Sequence, residues 1–333
     1  MSPARGVGNA TITVTAQANT AMTPRQAALT VAEQPMSVTQ DKRARPRGAG
    51  DFDGDGMSDL ALFRPGTAEW QVLTSSSAYL SALTIQWGVS TDVRVPGDYD
   101  GDGIDDLALY RPSTGTWYIL QSSTQYSTYI TQQWGNSTDT PVSGDYDGDG
   151  KSDLALYRSA TGTWYVELSS TNFTTYLTRQ WGLGSDTPVP DDYDGDGRTD
   201  LGLYRASTGS WYVLKSSSNF TDYIVRQWGL STDRVAPGDY DGDGKADLAV
   251  YRAETGSWYI LQSSTNYSTY IAKQWGASTD VIVPGDYDGD GKSDLAQYRP
   301  STGVWYLLSS RSGSTTYDTH VWGVSTDVPI NAH

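Results

Sequence analysis

From Asp98 the chain runs through alternating Asp and Gly, then turns apolar over Asp106–Arg111, a short run of strand type. Pro112-Ser113-Thr114-Gly115 has the composition of a turn. Trp117–Leu120 is continuously apolar, which predicts a strand buried on both faces. A Ser/Thr-rich loop follows, and the more polar Tyr129–Trp134 predicts an outer strand. Thr140–Ser143 then leads into the next Asp-rich stretch. The unit therefore holds four short strands, and nothing in it has the 3.6-residue period of a helix.

This unit recurs. Trp70, Trp117, Trp164, Trp211, Trp258 and Trp305 are spaced by 47 residues, as are Trp87, Trp134, Trp181, Trp228, Trp275 and Trp322, which accounts for all 12 tryptophans. Six copies without an insertion mean one structural unit, each too small to bury its own apolar face. Antiparallel four-stranded units of this length predict an all-β fold, a β-propeller, rather than a stacked solenoid. The paired aromatics, such as Trp117-Tyr118 with Trp134, are expected to fill the wedge between neighbouring blades; a sugar-stacking platform is the functional alternative.

The Asp-rich stretch carries the clearest chemistry. Its carboxylates stand at positions 1, 3, 5 and 9: Asp51, Asp53, Asp55 and Asp59; Asp98, Asp100, Asp102 and Asp106; Asp145, Asp147, Asp149 and Asp153. The same pattern gives Asp192, Asp194, Asp196 and Asp200; Asp239, Asp241, Asp243 and Asp247; and Asp286, Asp288, Asp290 and Asp294. Four carboxylates in one small volume repel unless a cation joins them. A hard ion with six to eight oxygen ligands fits, and Ca²⁺ tolerates irregular geometry better than Mg²⁺. Position 7 is Met57, Ile104, Lys151, Arg198, Lys245 or Lys292, so no shared side chain can ligate there and the backbone carbonyl is the expected ligand. Position 12 lacks the Glu of a helix-loop-helix calcium hand, which makes this a loop between strands. About six Ca²⁺ are expected, one per loop, in a structural role.

The charge changes meaning accordingly. The chain has 39 Asp+Glu against 23 Lys+Arg, a net charge of −16, which argues against nucleic acid as a partner. Twenty-four of the 39 acidic residues stand at these four loop positions, so the acidity reads as metal ligand and need not signal a basic partner. With no Cys, disulfides and thiolate chemistry are excluded, and no apolar run is long enough to span a membrane. Residues 1–15 lack the basic start and apolar middle of a signal peptide. Calcium modules of the extracellular kind bind at about 0.1–1 mM, which points to a secreted protein.

Each unit also repeats an Arg (Arg64, Arg111, Arg158, Arg205, Arg252, Arg299) and an Asp after the second Trp (Asp92, Asp139, Asp186, Asp233, Asp280, Asp327). Buried Arg–Asp pairs tying one blade to the next are expected.

With these motifs the chain resembles the FG-GAP/VCBS-type calcium-binding repeats of integrin α-subunit propellers and of bacterial secreted proteins, as in Val283–Ala296, VPGDYDGDGKSDLA; the resemblance covers residues 43–330. It implies a propeller, often seven-bladed, with calcium in the hairpin between the first and second strands of each blade, ligated by the Asp quartets above. The family includes sugar-binding fungal lectins, whose pocket residues have no evident place on this chain. Residues 8–39 resemble instead part of an immunoglobulin-like module of the BACON type.

Seven periods of 47 span 329 of the 333 residues. On that grid Ile12–Gln17, Gln26–Ala32 and Ser37–Arg43 fall near strands two to four of a blade, and Thr326–Ile330 on strand one. The favoured expectation is a single domain, 1–333, whose seventh blade combines residues 1–42 with 326–333 around six repeats at 43–325; six blades is the alternative. The expected function is a secreted, monomeric, non-catalytic binding or adhesion module for glycans or cell-surface proteins. The residues best placed for ligand contact are Tyr126-Ser127-Thr128-Tyr129, with Phe173, Phe220 and Tyr267 at equivalent positions, although ordinary outer-edge packing is the favoured reading of these aromatics. A ligand-free repeat scaffold and a polysaccharide-acting enzyme are the alternatives, the latter disfavoured because the only histidines are His320 and His333.

Overall fold

The computed structural model describes residues 25–31, 34–40 and 50–330. The chain divides into two compact units, Met1–Arg45 and Pro46–His333. In the first, Arg25–Val31 and Gln34–Gln40 pair antiparallel with each other as a two-stranded sheet. The strand expected at Ile12–Gln17 lies outside the described residues.

The second unit holds six sheets of four antiparallel strands, the blades of a β-propeller. Blade 2 is representative: Val93–Arg94, Leu107–Arg111, Thr116–Leu120 and Tyr129–Gln133, hydrogen-bonded in that order. The second strand is buried through Leu107, Ala108, Leu109 and Tyr110 because it lies inside the sheet and between neighbouring blades. Trp117 pairs with Tyr110 across the ladder and has 0 % exposure. It packs with Tyr99 and Ile119 against Leu154 and Leu156 of blade 3, so the core is a set of apolar wedges between blades. The first tryptophan of every unit is such a wedge, at 0–1 % exposure, with its indole N–H donated to the carbonyl of the second tryptophan, as from Trp117 to Trp134 at 3.0 Å.

The described residues form six blades, the alternative expectation rather than the favoured seven. Val328–Pro329 pairs with Leu60–Arg64, completing blade 1 with Glu69–Leu73 and Ala82–Gln86. The expected seventh blade of residues 1–42 with 326–333 does not form: the described N-terminal strands pair with each other, and the C-terminal strand supplies the first strand of blade 1. The physical reason is one of supply. Residues 60–86 already provide strands two to four and lack only a first strand, and Val328 and Pro329 pair with Phe63 and Leu62 as Val93 and Arg94 do with Tyr110 and Leu109.

Candidate metal centres and inter-blade clefts

Each Asp loop enters the second strand of its blade and is wound around its own first carboxylate. In loop 2, Asp98 Oδ1 accepts from the Gly101 N–H at 2.5 Å and Oδ2 from the Gly103 N–H at 2.9 Å. Both glycines have positive φ, +88° and +94°, a conformation that side-chain-bearing residues resist. The ninth-position Asp106 accepts from the Tyr99 N–H at 2.9 Å and, from across the blade, the Ser122 N–H at 2.7 Å. Asp98, Asp100 and Asp106 thereby bring carboxylate oxygens within 4.8 Å of one another, and the equivalent trio forms in loops 1, 3 and 4. In loop 5 the converging trio is Asp239, Asp241 and Asp243.

The seventh position is held in the same way in all six loops. The N–H groups of Met57, Ile104, Lys151, Arg198, Lys245 and Lys292 donate to the fifth-position Asp at 2.8–2.9 Å. Sequence reasoning missed a serine. Ser122 Oγ lies 2.8 Å from Asp106 Oδ1, 3.1 Å from Asp102 Oδ1 and 3.3 Å from the Ile104 carbonyl, so oxygens of positions 5, 7 and 9 surround one hydroxyl. Ser75, Ser122, Ser169, Ser216, Ser263 and Ser310 recur at the 47-residue period, which was the available signal.

The donor set suits a hard cation. It is all oxygen, and one hydroxyl proton cannot satisfy three acceptors around it. In loop 4, Asp194 Oδ1 is buried with no hydrogen-bond partner among the described residues. Burial pushes the ninth-position carboxyls upward, Asp106 to about 6 and Asp59, Asp153, Asp200, Asp247 and Asp294 to about 7. Such carboxylates gain from a divalent charge brought among them.

The recurrent Arg and Asp meet as expected. Arg111 Nε and Nη2 reach Asp92 Oδ1 and Oδ2, both at 2.8 Å, in the fork geometry of a bidentate pair. Asp92 sits on the crossover from blade 1 into blade 2, so the pair fixes that crossover. Arg111 also stacks on Tyr118, 4.4 Å from the ring centre.

The second tryptophans behave differently from the first. Trp87 is half-buried, and its ring lies 5.1 Å from that of Tyr129 on the outer strand of the next blade. Trp87, Tyr129, Tyr118, Arg111, Leu109 and Gly88 line a cavity of about 220 Å³. The Trp–Tyr pair recurs as Trp134–Tyr176, Trp181–Tyr223, Trp228–Tyr270 and Trp275–Tyr317, at 5.0–5.5 Å. At the sixth interface the position of Tyr129 is taken by Ala82 and that of Tyr118 by Gln71.

Tyr126, Phe173, Phe220 and Tyr267, the candidates for ligand contact, instead pack inward. Gln125 and Tyr126 both have positive φ, 55° and 56°, which swings the ring toward the blade junction. There the Tyr126 hydroxyl donates to the carbonyls of Asp105 at 3.0 Å and Phe52 at 3.2 Å. Of that stretch Tyr129 is the exposed aromatic, at 56 %.

Among the described residues no helix is long and apolar enough to cross a membrane. The FG-GAP-like repeat model matches residues 98–156, 192–250 and 239–297. No curated protein matches the chain. Among solved structures, an Agrocybe aegerita lectin described as recognising non-reducing terminal N-acetylglucosamine is similar, with 12 % identity over 80 % of this chain and 91 % of that one and a TM-score of 0.52. Virginiamycin B lyase from Staphylococcus aureus follows, with 8 % identity over 91 % and 90 % and a TM-score of 0.48. At such identities the likeness concerns the fold. The described residues form a six-bladed β-propeller, and within it three stretches are similar to FG-GAP-like repeats.

Proposed function

We propose that this propeller is a secreted, calcium-stabilised, non-catalytic binding module whose ligands are glycans held in the clefts between blades. The observation that carries the reading is the Trp87–Tyr129 wall beside Arg111 and Tyr118, a cavity of about 220 Å³ whose aromatic wall recurs at five interfaces. Aromatic faces take the apolar C–H face of a sugar ring, and a guanidinium supplies donors to its hydroxyls. The lectin of similar fold, described as recognising terminal N-acetylglucosamine, makes that sugar the first to test.

Calcium serves the scaffold. Each loop offers the side chains of positions 1, 3, 5 and 9 and the carbonyl of position 7, and a bound ion would supply the positive charge these carboxylates lack. Near-identical blades offer no asymmetric acid–base pair of the kind catalysis uses. A glycan array with and without EDTA tests the reading. Calcium-dependent hits that weaken in a variant with Tyr129, Tyr176, Tyr223, Tyr270 and Tyr317 all replaced by Ala support it; no hit on any glycan overturns it.

A further inference from the structure

The six Asp loops are hydrogen-bonded to one another in a closed circle. The eighth-position N–H of each loop, between ligand positions 7 and 9, donates to the first-position carbonyl of the loop before it, at 2.6–2.8 Å in all six joints. Asp105 to Asp51 is one such bond, and Ser58 to Asp286 closes the circle. In five joints the seventh-position side chain also lies over the preceding loop, with or without a tyrosine clamp: a Cβ on Gly101 would sit 2.7 Å from Lys151 Cε, and one on Gly54 2.9 Å from Ile104 Cγ1.

Only some joints carry a second clamp. The Tyr126 hydroxyl bridges loops 1 and 2 through the carbonyls of Phe52 and Asp105. Tyr79 does the same between loops 6 and 1, reaching Ser58 O at 3.0 Å and Tyr287 O at 3.3 Å. Tyr267 joins loops 4 and 5 through Ala246 O at 3.2 Å and Tyr193 O at 3.3 Å. The remaining three joints have Phe173, Phe220 and Ser314 at this position, two without a hydroxyl and one with a side chain too short to span the gap.

We infer that the loops take up calcium in blocks set by these tyrosine clamps: loops 6, 1 and 2 together, loops 4 and 5 together, and loop 3 alone. An ion that fixes positions 1 to 9 of one loop also fixes the residue whose amide and carbonyl hold the next loop in place. The neighbour then orders at lower conformational cost, and the coupling acts equally in both directions. The clamp hydroxyl ligates nothing; it is a positioning group.

The inference rests on the calcium reading, and the test separates the two. Full-length chain, stripped by chelator, is titrated with Ca²⁺ alone while amide hydrogen exchange is read in peptides from each loop. Wild-type loops 6, 1 and 2 are expected to share one midpoint, loops 4 and 5 another. Asp98→Asn in loop 2 should raise the midpoints of loops 1 and 6 by about fivefold or more and leave loops 4 and 5 in place. Phe173→Tyr, which adds only a hydroxyl and removes no ligand, should draw loop 3 to the midpoint of loop 2. Six loops that fill independently, an equal shift of all loops in the Asp98 variant, or a loop 3 unmoved by Phe173→Tyr overturns the block model and leaves calcium binding standing. No protection by calcium in any loop overturns both.

Discussion

Arg64 and Asp327 are 263 positions apart in the chain, and the guanidinium grips the carboxylate with two bonds, Nε to Oδ1 at 2.9 Å and Nη2 to Oδ2 at 2.8 Å. The five other Arg–Asp pairs join residues 19 apart. This pair alone among the six ties the last described strand to the first blade, so it closes the ring. Burial alone would raise the Asp327 carboxyl; the bonds from Arg64 outweigh it and hold the group below the ordinary carboxylate range.

Removing that clasp should therefore open the seam. Arg64→Ala leaves a carboxylate with 0 % side-chain exposure unpaired, at a cost of about 2 kcal/mol, the low side for a broken buried pair because the guanidinium is 30 % exposed. Chemical denaturation checks the magnitude, and hydrogen exchange should show the loss centred on Leu60–Arg64. Because the Asp327 pKa is depressed, its contribution is present above the unfolded carboxyl pKa and lost as pH falls, so wild type and variant should converge in acid. An Arg64→Ala protein as stable as wild type near neutral pH would show that the ladder closes the ring unaided.

Calcium removal should introduce a loss of stability with rising pH. The ninth-position carboxyls are raised by burial to about 6 or 7, above their unfolded value of about 3.8. In the metal-free protein that contribution is fully present below the unfolded pKa and lost as pH rises through about 6 to 7. Melting temperature in EDTA should thus fall from about pH 5 to about pH 7.5. With saturating calcium the fall should vanish, since ionised carboxylates are what the ion binds, and each site held at 100 times its dissociation constant adds about 2.7 kcal/mol. Parallel pH curves with and without calcium would refute metal binding by these carboxylates.

Much of this was legible because the repeat states the same reading six times. The strands around Trp117, the convergence of the Asp loops and the Arg111–Asp92 pair follow from local composition and spacing, and each is set by residues close in sequence. The blade number did not follow, since a 47-residue period fixes where a strand falls on the grid but not which open sheet edge receives it. Val328–Pro329 found the edge of Leu60–Arg64. Where the Tyr126 ring packs was not legible for a local reason: two successive positive φ angles redirect its side chain, and nothing in Gln125-Tyr126 has the glycine that would announce such a turn. The two tryptophans of a unit looked equivalent in sequence, yet one fills a wedge and the other lines a cleft, a difference set by the neighbouring blade.

Buried Gln297 breaks the repeat and should be improvable. The equivalent residues are Leu62, Leu109, Leu156, Leu203 and Val250, all buried and apolar. The Gln297 amide donates to the Trp275 carbonyl, which already accepts the Trp258 indole N–H at 3.0 Å. Gln297→Leu leaves that carbonyl satisfied and exchanges a buried amide for a side chain that packs in five sister blades, a gain of about 1 kcal/mol. Thermal unfolding at fixed calcium measures it; a lower melting temperature would mean that the amide makes a contact the repeat comparison does not reveal.

The clefts set the valency of the proposed glycan binding. Five interfaces pair a half-buried Trp with an exposed Tyr, whereas Trp322 faces blade 1, where Ala82 and Gln71 replace both tyrosines. Titration with a monovalent sugar should therefore saturate at five per chain. On a glycan-coated surface, where several clefts engage together, Tyr129→Ala alone should weaken binding only modestly, because the remaining clefts keep the chain at high effective concentration. The fivefold Tyr→Ala variant should lose surface binding with little change in melting temperature, since these rings are 55–61 % exposed. Conversely, Ala82→Tyr combined with Gln71→Tyr should restore the aromatic wall at the sixth interface and raise the stoichiometry from five to six, an outcome that a ligand site elsewhere on the propeller would not produce.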